Sequence, residues 1–283
     1  MNKRNETYLH SISPRDRLLD LKLSEILKFK DLLFLFVHRD FVTFYKQTIL
    51  GPLWFFIQPL LTTLVFTVIF GNIAKIPTDG LPPMIFYLAG VTAWHYFSEC
   101  FKKTSNSFTQ NANIFGKVYF PRVIIPLSVT ISNLIAFGIQ FLLFIGVMIF
   151  FMFKGAPVHP NIYILSFPIQ VFLMGLMGLG FGMIISALTT KYRDLQFLVV
   201  FGIQLLMYAA PVIYPISAIP QKYQWIIIAN PMTSIIELFR YSFLGAGSFT
   251  TGGLIYTAVF TIIIFLLGLI VFNKTEKNFM DTV

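Results

Sequence analysis

Polar and aromatic side chains recur at helical spacing within three long apolar stretches of the sequence. Residues three or four positions apart share one face of a helix, and polar faces of this kind are costly to leave in lipid. Their amide and hydroxyl groups favour hydrogen bonds to a neighbouring helix or to a hydrated passage, so they predict binding rather than catalysis. Interhelical packing is the alternative role for each residue taken alone. The candidates for lining a passage are Trp54, Gln58 and Thr62 in the first stretch, Thr92 and His95 in the second, and Phe201, Gln204 and Tyr208 in the third.

The chain carries no signature of a centre that hydrolyses nucleotides or holds a metal. The pair Gly116 and Lys117 is followed by Val118 and lacks the earlier glycine of a phosphate-binding loop. The four histidines are too scattered to predict a metal site, and the single cysteine, Cys100, excludes an internal disulfide. We therefore predict that the chain is not an enzyme, has no catalytic residue and binds no metal or cofactor itself.

The composition places these polar faces in a membrane. Of the 283 residues, 56% are hydrophobic and only 12% are charged, and the mean hydropathy is +0.75. An ordinary soluble domain has about 25% charged residues. The formal charge of +9 comes from Lys and Arg residues that stand between apolar runs, which argues against a nucleic-acid-binding face. We predict an all-α integral membrane protein.

Six apolar runs are long enough to cross the hydrocarbon layer, which is roughly 30 Å thick and takes about 20 helical residues. We therefore predict six transmembrane helices within a domain that extends from residue 47 to residue 273. In the fourth run, Gly178, Gly182 and Ser186 stand four residues apart, a spacing that favours close helix packing over a binding site. The six runs cover residues 47–74, 80–98, 123–153, 155–190, 195–221 and 241–273.

The N-terminal segment, residues 1–46, is too charged to span a membrane and lacks the apolar core of a cleavable signal peptide. We expect it to remain in the cytoplasm. The SPRD pattern at residues 13–16 predicts a helix start. Across residues 23–44 apolar and charged side chains mix, which favours an amphipathic helix at the membrane interface, with a solvated linker as the alternative.

Basic residues are distributed unevenly between alternate connections. Seventeen of the 21 Lys and Arg residues lie in the N-terminal segment, in the loops 102–122 and 189–196, and in the tail 274–283. Basic loops stay on the cytoplasmic side of a membrane, so both termini and these two loops are predicted to be cytoplasmic.

Prolines interrupt the connection between the fifth and sixth predicted spans. The uncharged stretch 223–236 within it has only 14 residues, about 21 Å if helical, and is too short to cross. Such pieces favour re-entrant half-helices, here within residues 211–249, that would form an external gate. An external loop packed on the membrane surface is the alternative. The gate candidates are Pro211, Tyr214, Pro215, Pro231, Glu237 and Arg240.

Several strings in the sequence are specific enough to indicate a family. RD at 39–40 precedes YKQTILGPLW at 45–54, and later strings read KVYFPR at 117–122, KYRDL at 191–195, YAAPVIYP at 208–215 and NPMTSIIELFR at 230–240. Together they resemble the membrane subunits of ABC exporters for bacterial polysaccharides, that is, the O-antigen, capsule and teichoic-acid permeases of the type-2 ABC exporter family. The resemblance covers most of the chain.

This resemblance implies an ATP-driven exporter that moves lipid-linked polysaccharide across the bacterial inner membrane. It implies a second copy of the chain and two nucleotide-binding ATPase subunits as partners, with ATP and Mg used by those subunits. Permeases of this kind line their channels with aromatic belts, in which rings stack on sugar faces while amides bond to hydroxyl groups. A drug or lipid exporter of the same superfamily and an ion-coupled secondary transporter remain open as alternatives.

The short cytoplasmic connections are the expected docking surface for the ATPase, since the chain has no phosphate-binding loop of its own. Arg122 and Arg193 can make bidentate pairs with carboxylates of a partner, and Pro121 stiffens one loop end. Binding of anionic lipid headgroups is the alternative role of these charges. The coupling candidates are Arg39, Asp40, Lys117, Tyr119, Pro121, Arg122, Tyr192, Arg193 and Asp194.

Overall fold

A computed structural model describes residues 23–46, 48–115 and 120–278, and the regular secondary structure in these ranges is helical, which confirms the predicted all-α class. A π-helical turn at Thr67–Ile73 continues α3, and a 3₁₀ turn at Ile162–Ser166 leads into α7. The α-helices of these ranges are α1 (Leu23–Lys28), α2 (Lys30–Tyr45), α3 (Trp54–Phe66), α4 (Pro83–Thr104), α5 (Ser107–Phe115), α6 (Ile124–Phe153), α7 (Phe167–Thr189), α8 (Leu195–Tyr208), α9 (Gln221–Ala229), α10 (Pro231–Leu244) and α11 (Thr251–Asn278).

Each of the six predicted apolar runs overlaps a helix, but length and composition mark only four helical segments of the described chain as able to span a membrane. The two exceptions have different causes. Helix α4 has 22 residues, but polar side chains such as His95 and Glu99 lower its hydropathy, whereas α8 has only 14 residues, about 21 Å. The four qualifying segments are Gly51–Ile73, Ile124–Phe153, Ile162–Thr189 and Thr251–Thr275.

Helix α4 lies at the centre of the packing and contacts α3, α6, α7 and α10. Its residues 85–89 are fully buried. Beside it, stacked and edge-on phenylalanine rings join α6, α7 and α10, and the rings of Phe141 and Phe167 lie 4.4 Å apart between centroids. Lipid tails are as apolar as these rings, so close packing rather than exclusion of water holds the helices together.

Small residues let α7 approach α4 and α5. A Cβ atom on Gly178 would lie 2.7 Å from the Cβ of Cys100, and one on Gly182 would also collide with α4. The hydroxyl of Ser186 accepts a hydrogen bond from the backbone N–H of Phe108 at 3.2 Å. The packing role predicted for this ladder is therefore confirmed.

Helices α1 and α2 form the predicted helical segment in two pieces that break at Phe29 and pack beside the start of α6. Ile26 and Phe36 are buried there, and the ring of Phe36 meets that of Phe120 edge-on at 5.7 Å. The predicted helix start at residues 13–16 lies outside the described residues.

Two short helices, α9 and α10, follow α8 and meet at Asn230. The side-chain oxygen of Asn230 accepts a hydrogen bond from the N–H of Met232 at 3.1 Å and caps α10. Helix α10 is buried along most of its length and ends at Gly245, whose φ of 77° suits glycine. The predicted pair of short helices therefore exists, whereas its depth in the membrane remains a prediction.

Candidate substrate passage and coupling surfaces

A polar cavity of about 190 Å³ lies between α3, α4 and α6, in the half of the bundle next to the predicted cytoplasmic loops. Its wall residues recur every three or four positions on each helix, so that one face of each helix points inward. We call this space the amide cavity. Its walls are Phe55 and Gln58 of α3, His95, Tyr96, Glu99, Lys102 and Lys103 of α4, and Asn133, Ala136, Phe137 and Gln140 of α6.

Hydrogen bonds and ion pairs tie α4 to α6 across the amide cavity. The ammonium of Lys103 donates to the side-chain oxygen of Asn133 at 2.8 Å and lies 3.3 Å from the Glu99 carboxylate. Above them, Nε2 of Gln140 and Nδ1 of His95 are 3.2 Å apart. The cavity therefore has the charged groups and Asn133 at one end and the pair of Gln140 and His95 at the other.

Two of the predicted passage residues, Gln58 and His95, line the amide cavity together. The hydroxyl of Thr62 donates to the carbonyl oxygen of Gln58 at 3.0 Å, one turn further along α3. Trp54, one turn before Gln58, is 38% exposed on the outside of the chain. The predicted face of α3 thus runs from the outer surface into the cavity.

Thr92 does not line this cavity and is fully buried within the packed helices, so its place in a passage stays a prediction. Residues 92 and 95 differ by about 60° around the helix axis. That angle is enough to turn one side chain into the packed interior while the other reaches the cavity.

The third predicted face lies on the outside of the single chain. Phe201 is 59% exposed, and Gln204 and Tyr208 of the same face of α8 are exposed as well. None of the described residues covers this row of side chains, so it is available for contact with lipid or with another protein.

A second cavity, of about 490 Å³, separates α2 from α4, α5 and α6 near the predicted cytoplasmic side. Arg39 and Asp40 form an ion pair of 2.7 Å on its wall. Arg39 also donates to the amide oxygen of Asn111 at 3.3 Å, and Asp40 accepts a hydrogen bond from the Ser128 hydroxyl at 3.3 Å. These two coupling candidates therefore fasten α2 to the bundle, and Lys103 lines both this cavity and the amide cavity.

The remaining coupling candidates divide between buried and exposed positions. Pro121 and Arg122 are buried, and the Arg122 guanidinium lies 5.2 Å from the ring centroid of Phe115, so the arginine does not stand on the surface as predicted. Residues 192–194, which connect α7 to α8, are exposed. The other two candidates, Lys117 and Tyr119, lie outside the described residues.

The gate candidates centre on a buried charge pair in α10. Arg240 is 1% exposed and lies 3.3 Å from the carboxylate of Glu237. It donates to the carbonyl oxygens of Pro211 at 2.5 Å and Val212 at 2.8 Å, and its guanidinium lies 3.7 Å from the ring centroid of Phe86. Arg240 thus ties the segment after α8 to α4 and α10.

Other gate candidates take local structural roles. The hydroxyl of Tyr214 donates to the carbonyl oxygen of Tyr208, which closes the turn that contains Pro211. Pro215 precedes a single 3₁₀ turn, and Pro231 occupies the first position of α10, where a proline fits without loss of a hydrogen bond.

Sequence reasoning missed Asn133 and Gln140, the two amides that α6 contributes to the amide cavity. Residues seven positions apart share a helix face, so their spacing was a usable signal. Hydropathy predicts that the apolar run 123–153 spans the membrane, but it does not indicate which helix face carries the two amides.

The family model described as "ABC-2 type transporter" matches residues 31–244 of the chain. The chain belongs to the ABC-2 type transporter family. It is 31% identical to the O-antigen export system permease protein RfbA of Klebsiella pneumoniae over 89% of this chain and 94% of that protein. It is also 27% identical to RfbA of Myxococcus xanthus, over 77% of this chain and 82% of that protein.

A more distant relative is the polysialic acid transport protein KpsM of Escherichia coli, which is 23% identical over 86% of this chain and 93% of that protein. Family membership and the four long apolar helices identify the ABC-2 chain as a multi-pass membrane protein and a transport permease. Membership implies an ABC transporter system, which favours ATP over an ion gradient as the energy source.

Proposed function

We propose that this ABC-2 permease is the membrane subunit of an ATP-driven exporter that moves a lipid-linked, O-antigen-like polysaccharide across the bacterial inner membrane. The observation that carries the proposal is the 31% identity to an O-antigen export permease over nearly the full length of both proteins. The substrate of that relative comes to this chain by similarity. Amide and aromatic side chains in the amide cavity support it, because they suit sugar hydroxyl groups and sugar faces.

The proposed arrangement has six spans: the four longer segments, α4, and the apolar run 195–221, in which α8 supplies about 21 Å and the residues after it complete the crossing. Both termini lie in the cytoplasm, which agrees with the distribution of basic residues. Helix α4 keeps its charges near one end, where they reach the interface. Helices α9 and α10 form the external, re-entrant gate on this proposal.

A second copy of the chain completes the passage. The exposed face of α8, with Phe201, Gln204 and Tyr208, and the exposed Trp54 of α3 supply aromatic rings and an amide that one copy leaves uncovered. Two such faces would enclose a channel with aromatic walls. The ATPase subunits, which bind ATP and Mg, would dock on the exposed residues 192–194 and their surroundings.

Deletion of the gene tests the proposal. Cells without the permease should lose the polysaccharide from their surface and accumulate it, still linked to lipid, on the cytoplasmic face of the inner membrane. The plasmid-borne gene should restore surface glycan. Normal surface glycan in the deletion strain would contradict the proposal.

A further inference from the structure

The amide cavity contains two buried amide groups whose polar atoms have no partner among the described residues. Asn133 is 3% exposed and Gln140 is 2% exposed, yet Nδ2 of Asn133 and Oε1 of Gln140 make no hydrogen bond there. The thiol of Cys100 lies beside Asn133 but is only a weak acceptor. Burying a polar atom without a hydrogen bond is unfavourable, so both atoms favour a ligand that supplies the missing partner.

The two atoms without a partner differ in kind, since one is a hydrogen-bond donor and the other an acceptor, and this restricts the ligand. Nδ2 of Asn133 offers a hydrogen atom, whereas Oε1 of Gln140 offers a lone pair. The residues lie seven positions apart on α6, about 10 Å along the helix axis. A hydroxyl group can both donate and accept, so a small molecule with several hydroxyl groups satisfies both ends of the site.

The charges of the cavity argue against an anion. The Glu99 carboxylate faces the ammonium groups of Lys103 at 3.3 Å and Lys102 at 3.9 Å, and the remaining positive charge lies on partly exposed lysine side chains that solvent can screen. The groups without a partner are neutral. A neutral ligand therefore fits the site better than a phosphate does.

Aromatic rings supply the other feature that a sugar requires. Phe55, Tyr96 and Phe137 are buried and line the cavity, and the rings of Tyr96 and Phe137 pack 4.9 Å apart. A cavity of about 190 Å³ exceeds the space that one water molecule needs by an order of magnitude. Rings, opposite amides and space together make a compact site for one sugar ring.

We propose that the amide cavity is a binding site for a single neutral sugar residue of the exported glycan, held by Asn133 and Gln140 within one protomer. The site lies within one protomer, in the half of the bundle nearest the predicted cytoplasmic loops, and the passage candidates Gln58 and His95 are part of its wall. It would engage one end of the glycan before transport. The identity of the ligand as a sugar of the cargo rests on the proposed function.

The test uses the purified complex of permease and ATPase in lipid nanodiscs, with saturation-transfer NMR to detect weak ligands. The probes are the methyl glycosides of glucose, galactose, mannose, rhamnose and N-acetylglucosamine, together with inorganic pyrophosphate. Gln140→Met keeps the length of the side chain and removes the amide. Gln170→Met is the matched control, because Gln170 is a fully buried amide of α7 that does not line the cavity.

At least one glycoside should bind the wild-type complex and the Gln170→Met complex, and Gln140→Met should weaken that binding tenfold or more. If Gln140→Met does not assemble, Ala136→Leu replaces it, since the added carbon atoms fill the cavity without removing a polar group. Glycoside binding that survives the cavity variants overturns the proposal, as does binding of pyrophosphate alone. This binding assay does not depend on the deletion strain, so failure of the cavity assignment and failure of the proposed function are distinguishable.

Discussion

Replacing Arg240 by methionine should destabilise the permease strongly. The substitution keeps the apolar stem but removes the guanidinium that bonds to the carbonyl oxygens of Pro211 and Val212 and faces Glu237. Hydrogen bonds from a charged donor contribute about 1.5–3 kcal/mol each, and removal of one partner of a buried pair costs about 3–5 kcal/mol. The two figures describe the same contacts, so we expect a loss of about 3–5 kcal/mol.

The assay is thermal unfolding of the purified protein in detergent, followed by the loss of the monodisperse peak in size-exclusion chromatography. A loss of this size corresponds to a fall in the unfolding midpoint on the order of 10 °C. Lys222→Met is the control, because Lys222 is an exposed basic residue in the same region. It should unfold as the wild type does.

A double variant separates the charge effect from the loss of packing. Adding Glu237→Gln to Arg240→Met removes the carboxylate that the first change leaves without its partner. The double variant should therefore be less destabilised than the two single variants predict by addition. An Arg240→Met protein that unfolds within about 2 °C of the wild type, no more than the shift expected for about 1 kcal/mol, would refute the role assigned to this pair.

Three further predictions follow from the packing and the surface. Gly178→Ala places a Cβ atom against α4 and should destabilise the chain by about 1–3 kcal/mol. Gly202→Ala is the control: its Cβ atom meets no atom within 4 Å, so it should raise helix stability slightly. Equal unfolding midpoints for the two variants would contradict the packing role of Gly178. Arg193→Glu should leave insertion intact and release the ATPase on affinity purification, and normal copurification and export would remove this residue from the docking surface. In a variant without the native cysteine, a cysteine introduced at Asp79 should react with an impermeant thiol reagent from outside the cell, and one introduced at Lys191 should not. The reverse pattern would contradict the predicted orientation in the membrane.

The positions of the long helices were predictable because charges flank the apolar runs. Arg122 and Lys154 mark the ends of the third run, and the helix between them extends from Ile124 to Phe153. The fifth run was predicted to extend to residue 221, but α8 ends at Tyr208. Apolar residues continue beyond Tyr208, but the chain turns at Pro211 and Pro215, so the helix does not continue through them.

Side-chain direction was harder to predict than helix position. Arg122 was expected on the surface, yet its guanidinium packs against the ring of Phe115. The arginine side chain is long enough to reach this ring with its apolar stem buried, and the sequence alone does not indicate that contact. The π-helical turn at the end of α3 also had no sequence signal. There, a Cβ atom on Gly71 would lie 2.9 Å from the Cβ of Pro83, so the tight contact depends on how two separate helices meet.

The candidate site was predictable in part. Gln58 and His95 were found because an amide and an imidazole stand out within apolar runs, and they share one cavity. Thr92 does not line that cavity, because residues three positions apart on a helix differ by about 60° around its axis. Which faces of three different helices enclose the same space depends on their rotation in the bundle, and periodicity within a single helix does not determine it.

ATP-dependent movement of glycan in reconstituted membranes tests the central claim most directly. Proteoliposomes that contain the permease and its ATPase would carry lipid-linked glycan in the outer leaflet, where periodate, an impermeant oxidant, can destroy it. The proposed function predicts that added ATP and Mg produce a growing fraction of glycan that periodate no longer reaches, and that a nonhydrolysable ATP analogue does not. A protected fraction that stays the same with and without ATP hydrolysis would contradict the claim that this permease exports polysaccharide.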